Sequence, residues 1–378
     1  MVWEATLLSS DPETQVGLTE RAEAAARAKG FPAARITVDS RTLNFSSIYM
    51  VFIIIIITTT TPSIIIVVIT TQTDTVPKHR KQESLHRPWT PSHLRGDTGF
   101  GHLLAKYLAR DGFLVFAGCL DAKGEGALSL KKQSNVKVLQ MDVTKDVEID
   151  GAHRVIKEEL GTRKLWAVVC NAAIMNSGLV EWLTMASITR IFDVNVFGVV
   201  RVVKRFLPML KETHGRAVIV TSNLSHFTLP FTTPYAMKHA VQSLVDGLRR
   251  ECHGKGVDVV AVEPLTYRSK VTDAVGCLAA VEKEFKSQPA EVTAGFNAQE
   301  LHDWTRSVKA LYDWRIKDDI EDLVDQMVLA VRETDPKTRY RTMAVFDYAW
   351  VTCLRIRPAE AVDIILLWSR RLALWRKK

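Results

Sequence analysis

The stretch Gly215–Ser222, GRAVIVTS, shows the pattern that decides the fold. Within it, Ala217–Thr221 is apolar and mostly β-branched, which favours a buried strand. Short runs of this kind alternate with helical patterns from Gly96 onward. This alternation predicts a doubly wound, Rossmann-like α/β fold, in which helices cover both faces of a parallel sheet. The other predicted strands are Leu114–Ala117, Val136–Leu139, Leu165–Val169 and Val257–Val262, and the predicted helices cover 100–111, 147–160, 185–212 and 235–253.

Composition and charge exclude several classes of protein. The 378 residues include 50 basic and 42 acidic side chains, which give a formal charge of +8 and a pI of about 9.2. The basic residues are scattered until the last few positions, and the sequence has no zinc-finger spacing and no aromatic RNA-binding signature, so we expect no nucleic-acid partner. Widely spaced cysteines in mostly apolar contexts predict reduced core thiols in an intracellular compartment, and no metal site. They are Cys119, Cys170, Cys252, Cys277 and Cys353.

Residues 1–95 form an atypical amino-terminal segment. Residues 16–30 have an Ala-rich helical pattern, and the run from Ile48 to Thr71 carries no charge and consists almost entirely of Ile, Val and Thr. This run is compatible with a membrane span, because about 20 apolar residues cross a bilayer. It is equally compatible with a low-complexity, strand-prone insert, because β-branched residues favour strands, or with an incorrect gene model. Early acidic residues such as Glu4 and Asp11 argue against a secretory or mitochondrial leader.

Three side chains in the second half of the chain suit proton transfer: Ser222, Tyr235 and Lys238. A tyrosine hydroxyl has a pKa of about 10, and a neighbouring ammonium favours the phenolate and lowers that pKa towards neutrality. A serine hydroxyl beside the tyrosine can hold the reacting oxygen. For Ser222 alone, a simple strand-end hydroxyl is the other interpretation.

Two further patterns suit a dinucleotide. Gly99-Phe100-Gly101 opens the helix predicted at 100–111, where glycine lets the backbone approach a pyrophosphate, although an ordinary turn has the same composition. Asp121 follows a predicted strand at the distance from these glycines where an acid binds a ribose hydroxyl and favours NAD over NADP. Asp142 follows the next strand, where it could bind an adenine amino group or cap a helix.

Together these patterns resemble a known family, the short-chain dehydrogenase/reductases, and within it the branch of retinol, 17β-hydroxysteroid and D-3-hydroxybutyrate dehydrogenases. The resemblance extends from about Gly96 to the C-terminus and is specific because the order and the spacing of many short motifs agree. The matching motifs are Asp97–Gly101 (DTGFG), Phe113–Leu120 (FLVFAGCL), Met141–Thr144 (MDVT), Leu165–Ala173 (LWAVVCNAA), Asp193–Asn195 (DVN), Gly215–Ser222, Thr233–Tyr235 (TPY), Leu248–Glu251 (LRRE), Glu263-Pro264 and Thr338–Tyr340 (TRY).

The resemblance implies an oxidoreductase that uses NAD, with NADP as the alternative cofactor. It implies that Tyr235 exchanges a proton with the substrate hydroxyl and that Ser222 positions the substrate oxygen. Lys238 would lower the tyrosine pKa and hold the nicotinamide ribose, while Asn195 would anchor a water relay. The implied cofactor-binding residues are Gly96, Thr98, Gly99, Phe100, Gly101, Asp121, Asp142, Val143, Asn171, Ala172 and Pro264.

The implied substrate is the alcohol or ketone of a small apolar molecule, a steroid, a retinoid or a 3-hydroxyacid, and relatives commonly form homo-oligomers. We expect a dinucleotide-binding catalytic domain at 96–275, a substrate lid with closing elements at 276–345, and a basic amphipathic tail at 346–378. From Ile364 the tail combines apolar and basic residues. It suits either an interfacial membrane anchor, at the endoplasmic reticulum or a mitochondrion, or an ordinary terminal helix.

The chain departs from the family pattern at its start and around its short motifs. No apolar strand directly precedes the Gly-rich turn, and we hypothesise that Ser63–Thr71, the only strand-like run upstream, fills the first-strand position. Single substitutions affect the motifs as well. Arg95 replaces the first glycine of the phosphate loop, Cys170 and Ala173 replace an Asn and a Gly on either side of Asn171, and Leu265 replaces the glycine after Pro264.

The spacing of Tyr235 and Lys238 is the most serious departure, because they are three residues apart where the family has four. On a helix the two spacings differ by about 100° around the axis and about 1.5 Å along it. A helix that begins one residue later, with Thr233 as its cap and Pro234 in its first turn, would turn Tyr235 back towards Lys238. The alternative to an active enzyme is a catalytically impaired, non-enzymatic, membrane-associated relative of the same fold.

Overall fold

The computed structural model describes residues 65–70, 99–174, 179–226, 228, 232–265, 267, 281–295, 320–342, 348–349, 352–353 and 355–364. The chain divides into two compact units, one spanning Ile54–Arg357 and one combining Met1–Ile53 with Pro358–Lys378. In the second unit the described part is a short helical segment at 359–364, where the amides of Ala361 and Val362 donate to the Pro358 carbonyl. The first unit contains the sheet and everything described below.

The centre of this unit is a seven-stranded sheet in the order β3-β2-β1-β4-β5-β6-β7. The strands are β1 Ile65–Thr70, β2 Leu114–Cys119, β3 Val136–Gln140, β4 Leu165–Cys170, β5 Arg216–Val220, β6 Asp258–Glu263 and β7 Arg339–Arg341. All neighbouring pairs are parallel except the two that involve β1. The predicted doubly wound α/β fold is confirmed, and each of its five predicted strands is found within one or two residues of its predicted ends.

Helices cover both faces of the sheet. They are α1 Phe100–Arg110, α2 Glu125–Lys131, α3 Asp146–Leu160, α4 Met185–Phe192, α5 Gly198–Thr213, α6 Thr232–Glu251, α7 Ala290–Thr293 and α8 Glu321–Arg332. A π-helical turn, Asp193–Phe197, joins α4 to α5, so the helix predicted at 185–212 contains a local widening. Two short 3-10 turns occupy Val180–Trp182 and Asn223–His226. Helix α2 and strand β7 were not predicted.

The two hydrophobic cores follow from alternation along the strands. Successive strand side chains point to opposite faces. Val115 and Ala117 therefore join the core under α1, α2 and α8, whereas Leu114 and Phe116 join the core under α3, α5 and α6. Both faces of each central strand are covered, which explains why the strands are apolar throughout and do not alternate with polar residues.

Strand β1 fills the first-strand position, but in the reverse direction. It lies between β2 and β4 and is antiparallel to both, with Ile65 opposite Cys119 and Thr70 opposite Leu114 and Leu165. The hypothesis that this run fills the empty position is confirmed, and the expectation of an all-parallel sheet is wrong at this one strand. Residues 71–98 separate β1 from α1. A connection of that length can span the height of the sheet, so the chain is not forced into the parallel direction by a tight strand–turn–helix unit.

A buried arginine ties α8 to the centre of the sheet. Arg216, at the start of β5, is 1% exposed, and its Nη1 donates to the carbonyls of Ala330 and Glu333 at the carboxyl end of α8. Its guanidinium lies 4.6 Å from the ring centroid of Trp166, and the indole Nε1 donates to the Val331 carbonyl. Burial lowers the pKa of Arg216 from its ordinary value, although the group stays charged.

Several expectations lie outside the described residues. They include the Ala-rich pattern at 16–30, most of the Ile48–Thr71 run, Arg95, Gly96 and Thr98, and the basic tail from residue 365 onward. Among the helices that the structure does describe, none combines the length and apolar character that a bilayer crossing requires.

Candidate active site

The carboxyl ends of the parallel strands bring the predicted site residues to one edge of the sheet, here called the carboxyl edge. Asp121 follows β2, Asp142 follows β3, Asn171 and Ala172 follow β4, Ser222 follows β5 and Pro264 follows β6. Ligands of open α/β sheets bind outside this edge. Reversal of β1 gives the edge the amino end of that strand, Ile65, where a parallel strand would contribute its carboxyl end.

Asn195 fastens the segment that leaves β4. It lies in the π-helical turn, is 3% exposed, and uses both ends of its amide on the backbone of Ile174. Its Oδ1 accepts from the Ile174 amide at 2.8 Å, and its Nδ2 donates to the Ile174 carbonyl at 2.6 Å. Nδ2 also lies against Sδ of Met237, the residue before Lys238 in α6. Asn195 therefore connects the exit of β4 with the helix that carries Tyr235 and Lys238.

Ser222 is held by backbone hydrogen bonds on both sides. The amide of Thr221 donates to the Val262 carbonyl at 2.8 Å, and the amide of Asn223 donates to the Pro264 carbonyl at 3.1 Å. The Ser222 hydroxyl lies 3.2 Å from Asn223 Oδ1, to which it donates, and the residue is 8% exposed. The end of β6 thus fixes the height of Ser222 at the carboxyl edge.

Lys238 lies beside this serine in the core of the site. It is 8% exposed, and its Nζ donates to the carbonyl of Thr221 at 3.2 Å, directly before Ser222. Burial lowers the pKa of Lys238 to about 8. The amine is therefore mostly protonated at neutral pH but titrates close to the physiological range.

Tyr235 lies on the same helix, and the helix geometry does not correct its spacing. Helix α6 begins at Thr232, so Tyr235 is already inside the first turn, and the later helix start proposed from Thr233 and Pro234 is wrong. Three residues of helix turn through about 300°, which leaves Tyr235 and Lys238 about 60° apart around the axis. Pro234, four residues before Lys238, occupies the helical position that the family gives to its tyrosine.

Among the described residues, no atom blocks the amino end of α1. Gly99 is its N-cap in an extended conformation, without a side-chain cap, and a Cβ at Gly99 would meet no atom of these residues within 4 Å. The Gly99 carbonyl accepts from the amides of His102 and Leu103. A helix of this length with uncapped first-turn amides suits a phosphate group. Gly101 is buried in the first turn, and Phe100 packs edge-on against Tyr267 with ring centroids 5.8 Å apart.

The two acids predicted to contact the cofactor also hold their own turns. Asp121 Oδ1 accepts from the Lys123 amide at 2.9 Å. Asp142 Oδ1 accepts from the amide of Thr144 at 2.9 Å and from its hydroxyl at 2.7 Å. Burial alone would raise the pKa of Asp142, but these hydrogen bonds and the Lys145 ammonium outweigh it and lower the pKa. The N-cap of α3 is Lys145, without a side-chain cap, so Asp142 closes a turn before the helix and does not cap it.

Val143 and Gly198 explain how α5 approaches this edge. Val143 is 1% exposed, and a Cβ at Gly198 would lie 2.8 Å from its Cγ2. A side chain at Gly198 would push the start of α5 away from Asp142. Because the π-helical turn with Asn195 directly precedes Gly198, this close contact also fixes the position of Asn195.

A charge cluster around a buried carboxylate, which the sequence did not reveal, lies beside the site. It consists of His226, Asp246, Glu263, Arg339 and Arg341. Glu263 is fully buried, with Oε1 2.5 Å from Arg339 Nη1, and with Oε2 2.6 Å from Arg341 Nε and 3.0 Å from His226 Nε2. Arg339 Nη2 also donates to both carboxylate oxygens of Asp246 at 2.7 Å.

The charge cluster joins the Ser222 segment to α6. Burial alone would raise the pKa of Glu263, but the hydrogen bonds from His226, Arg341 and Arg339 lower it to about 2. His226 ends the 3-10 turn that follows Ser222, and Asp246 lies two turns after Lys238 on α6. A lone Glu at the end of the apolar strand DVVAVE, together with the Arg-rich motif around Tyr340, was the signal that could have found this cluster.

Residues 281–295 contact the turn that precedes α4. Phe285 packs edge-on against Trp182 with ring centroids 5.3 Å apart, and Gln288 donates to the Trp182 carbonyl at 3.0 Å. Glu284 Oε2 accepts from the Thr184 amide at 3.1 Å. This segment therefore packs against the 3-10 turn Val180–Trp182 and the N-cap of α4.

Known proteins resemble this chain in sequence and in fold. Residues 95–276 match the family described as short chain dehydrogenase. The chain is 32% identical over 274 residues to mouse retinol dehydrogenase 7, and the aligned region covers 72% of this chain and 86% of that relative. It is 32% identical over 275 residues to mouse estradiol 17-beta-dehydrogenase 2, covering 71% of this chain and 72% of the relative.

Solved structures share the fold at lower identity. A short-chain dehydrogenase from Streptomyces avermitilis superposes with a TM-score of 0.52 at 19% identity, covering 73% of this chain and 93% of that one. A short-chain dehydrogenase/reductase from Burkholderia phymatum, in complex with NAD, gives a TM-score of 0.51 at 18% identity, covering 67% of this chain and 88% of that one. The extent of the match to retinol dehydrogenase 7, together with the sheet order, shows that the chain belongs to the short-chain dehydrogenase/reductase family.

Proposed function

We propose that the protein is an NAD(P)-dependent oxidoreductase that acts on the alcohol or ketone of a small apolar substrate. The observation that carries the proposal is the grouping of Ser222, Lys238 and Asn195 at the carboxyl edge. Lys238 Nζ is bonded to the residue before Ser222, and Asn195 lies against the residue before Lys238. Mouse relatives named as retinol and estradiol dehydrogenases support a retinoid or a steroid, and a 3-hydroxyacid is the further candidate.

The described residues fit a dinucleotide at this edge. Phosphate would contact the first-turn amides of α1, since Gly99 leaves room there. Asp121 would bind the ribose of the adenosine half, which favours NAD over NADP. Ala172 and Pro264 would flank the nicotinamide half, with Asn171 beside them. When bound, the nicotinamide would accept or supply the hydride.

The residues of the chain would then handle the proton. On substrate binding, the Ser222 hydroxyl would rotate away from Asn223 Oδ1 and donate its hydrogen bond to the substrate oxygen, and Tyr235 would exchange a proton with that oxygen. Lys238 assists the tyrosine only while it is charged, because only an ammonium favours the phenolate. With a pKa of about 8, Lys238 loses this charge as the pH rises above that value. We therefore expect activity to fall above about pH 8, earlier than it would with an exposed lysine.

Cofactor binding is the first test. NADH fluorescence titration of the purified chain should give saturable binding, and NADPH should bind more weakly because of Asp121. An Asp121→Asn variant should narrow that difference, while Asp258→Asn, at the opposite end of the sheet, should leave both affinities unchanged. The absence of saturable binding of either dinucleotide would sink the enzyme proposal.

The Tyr–Lys spacing provides the sharper test of activity. Insertion of one alanine between Tyr235 and Ala236 restores a spacing of four. We expect kcat for retinol or estradiol oxidation to rise by about a hundredfold, since a misplacement of about 1 Å costs a factor of that size. A matched insertion between His253 and Gly254, in the turn after α6, keeps the spacing of three and should leave kcat unchanged. Equal activity in both insertion variants would show that the spacing does not limit the reaction.

A non-enzymatic relative is the competing function. Two features favour a non-enzymatic function. The continuous helix from Thr232 alters the placement of Tyr235 relative to Lys238, and the reversed β1 alters the cofactor side of the site. With either function, we propose that the tail associates with a membrane, that residues 276–345 form a substrate lid after a catalytic domain at 96–275, and that the chain forms a homo-oligomer. Dinucleotide binding without turnover, in the native chain and in the restored-spacing variant alike, would favour this second function.

A further inference from the structure

A basic cleft lies at the opposite end of the sheet from Ser222. Its volume is about 570 Å³, and it is lined by the last turn of α6, the loop after it, the start of β6 and the turn before β7. The side chains that matter most are Arg249, Arg250, His253 and Lys337. Because β6 begins here at Asp258 and ends at Glu263, the cleft is separated from the carboxyl edge by the length of that strand.

The cleft has more positive charge than its acids can neutralise. Three permanent cations line it, Arg249, Arg250 and Lys337, and one carboxylate, Asp258. The carboxyl end of α6 contributes about half a negative charge, which leaves an excess of about one and a half positive charges. Asp258 is itself 3.9 Å from Arg216 Nη2. Its charge is thus shared with a group outside the cleft.

The nearest partner of Arg249 is already occupied. Arg249 Nη2 lies 3.8 Å from Asp246 Oδ1, while Arg339 contacts both oxygens of the same carboxylate at 2.7 Å. An ion pair at 3.8 Å is outside hydrogen-bond distance, so the donors of Arg249 are not taken up by Asp246. Lys337 Nζ lies 5.8 Å from the ring centroid of Tyr340, a contact that leaves its charge in place.

A backbone donor faces the same space. The amide of Asp258 donates across to the Gly215 carbonyl at 3.0 Å, so the next amide, that of Val259, points to the other side of β6. On that side β7 pairs with β6 only from Ala261 onward, whose amide donates to the Thr338 carbonyl. Val259 therefore presents its amide to the cleft, next to the cationic side chains.

We propose that this cleft binds a phosphate group, carried by a small metabolite or by a phospholipid headgroup. Guanidinium forks bind phosphate oxygens in pairs, and a main-chain amide adds a directed donor. The volume is in the range of small-molecule sites. The site is independent of the proposed function, because it lies at the start of β6, whereas the dinucleotide and the alcohol would bind beyond the other end of that strand.

The test is calorimetric titration of the full-length chain with glycerol 3-phosphate and with inorganic phosphate. We expect saturable binding in the millimolar range, weakened at least about tenfold in the triple variant Arg249→Gln, Arg250→Gln, Lys337→Gln, which removes the charge-assisted hydrogen bonds. The matched control changes three exposed cations elsewhere, Arg154→Gln, Lys157→Gln and Lys204→Gln, and should bind as the native chain does. Equal weakening in both triple variants, or in neither, would overturn the proposal.

Two further arms complete the experiment. If the triple variant fails to fold, the double variant Arg250→Gln, Lys337→Gln replaces only exposed side chains and should weaken binding in the same direction. Sedimentation with phosphatidylcholine vesicles, with and without phosphatidic acid, separates the sources. If vesicles with phosphatidic acid bind the native chain but not the triple variant, the ligand of the cleft is a phospholipid headgroup. If only the soluble phosphates bind, the ligand is a small metabolite. NADH titration of the same variants should be unchanged, so failure here is distinguishable from failure of the proposed function.

Discussion

The two halves of the sheet preserve the family arrangement to different degrees. From β4 to β7 every strand is parallel to its neighbours, and the charge cluster and two backbone hydrogen bonds fix the Ser222 segment. In the other half, β1 lies reversed between β2 and β4. Direction matters where a strand must deliver a side chain to the carboxyl edge, as β5 does with Ser222. The hydrogen-bonding ladder of β1 forms in the reversed direction as well, so the sheet stays continuous although this strand no longer ends at the carboxyl edge.

Removal of the buried carboxylate should have the largest effect and would disrupt the well-preserved half. Glu263→Gln leaves Arg339, Arg341 and His226 around a neutral amide, so we expect a loss of about 3–5 kcal/mol in the free energy of unfolding. Urea denaturation provides the measurement. The matched control is Glu159→Gln, which removes an exposed pair with Lys137 and should change stability by less than about 0.5 kcal/mol.

The pH dependence of the same variant checks the cause. The folded pKa of Glu263, about 2, is below its ordinary value of 4.5. Its stabilisation is therefore fully present above about pH 4.5 and is lost as the pH falls towards 2. The native chain should lose stability more steeply than Glu263→Gln over this acid range. Parallel pH profiles would contradict the assigned role of the carboxylate.

A disulfide can test the direction of β1, the altered element of the other half. Ile65 is directly opposite Cys119 in the antiparallel register. Directly opposite residues in such a ladder are about 4.5–5.5 Å apart at Cα, within the range of a disulfide. Ile65→Cys should therefore crosslink to Cys119 on oxidation and stabilise the fold by about 2–4 kcal/mol.

Thr70→Cys is the matched control for this crosslink. It lies opposite Leu114, at the other end of β2, and should not reach Cys119. Mass spectrometry of tryptic peptides distinguishes the two variants. A crosslink from residue 70 and none from residue 65 would mean that β1 runs parallel to β2.

Replacement of the buried lysine should have a smaller effect of the opposite sign. Lys238→Met removes a charge whose pKa is lowered by burial from 10.5 to about 8, so we expect a gain of about 1–3 kcal/mol in stability at pH 7. The unfolded native chain binds more protons between these two values, so native stability rises with pH there and the difference should close. Lys204→Met, at an exposed position, should show neither effect. A loss of stability at pH 7 would contradict the burial argument.

Much of the fold was predictable because local patterns determine it. Apolar runs such as Leu114–Ala117 and the helix that follows Gly99 were placed correctly from periodicity alone. The reversal of β1 was not, because the pattern of alternating side chains is the same in both directions along a strand. The direction of β1 depends instead on the strands it pairs with and on the length of the connection, residues 71–98, that leads to α1.

The site was predictable in its location and less so in its support. Ser222, Asn195 and Lys238 were identified through motifs, and hydrogen bonds link the segments that carry them. The charge cluster combines residues from four separate elements, and no local pattern connects Glu263 with Asp246. The start of α6 at Thr232 also escaped prediction, because Pro234 is acceptable in any position of a first helical turn.

The buried Arg216 has a consequence for how the chain can be shortened. Its guanidinium depends on carbonyls at 330 and 333, which lie beyond the matched family region that ends at residue 276. A splice form or proteolytic fragment that stops near residue 276 would leave a charged side chain in the core without acceptors. Such fragments should be degraded rather than accumulate. The smallest stably folded part of this protein therefore extends past Glu333.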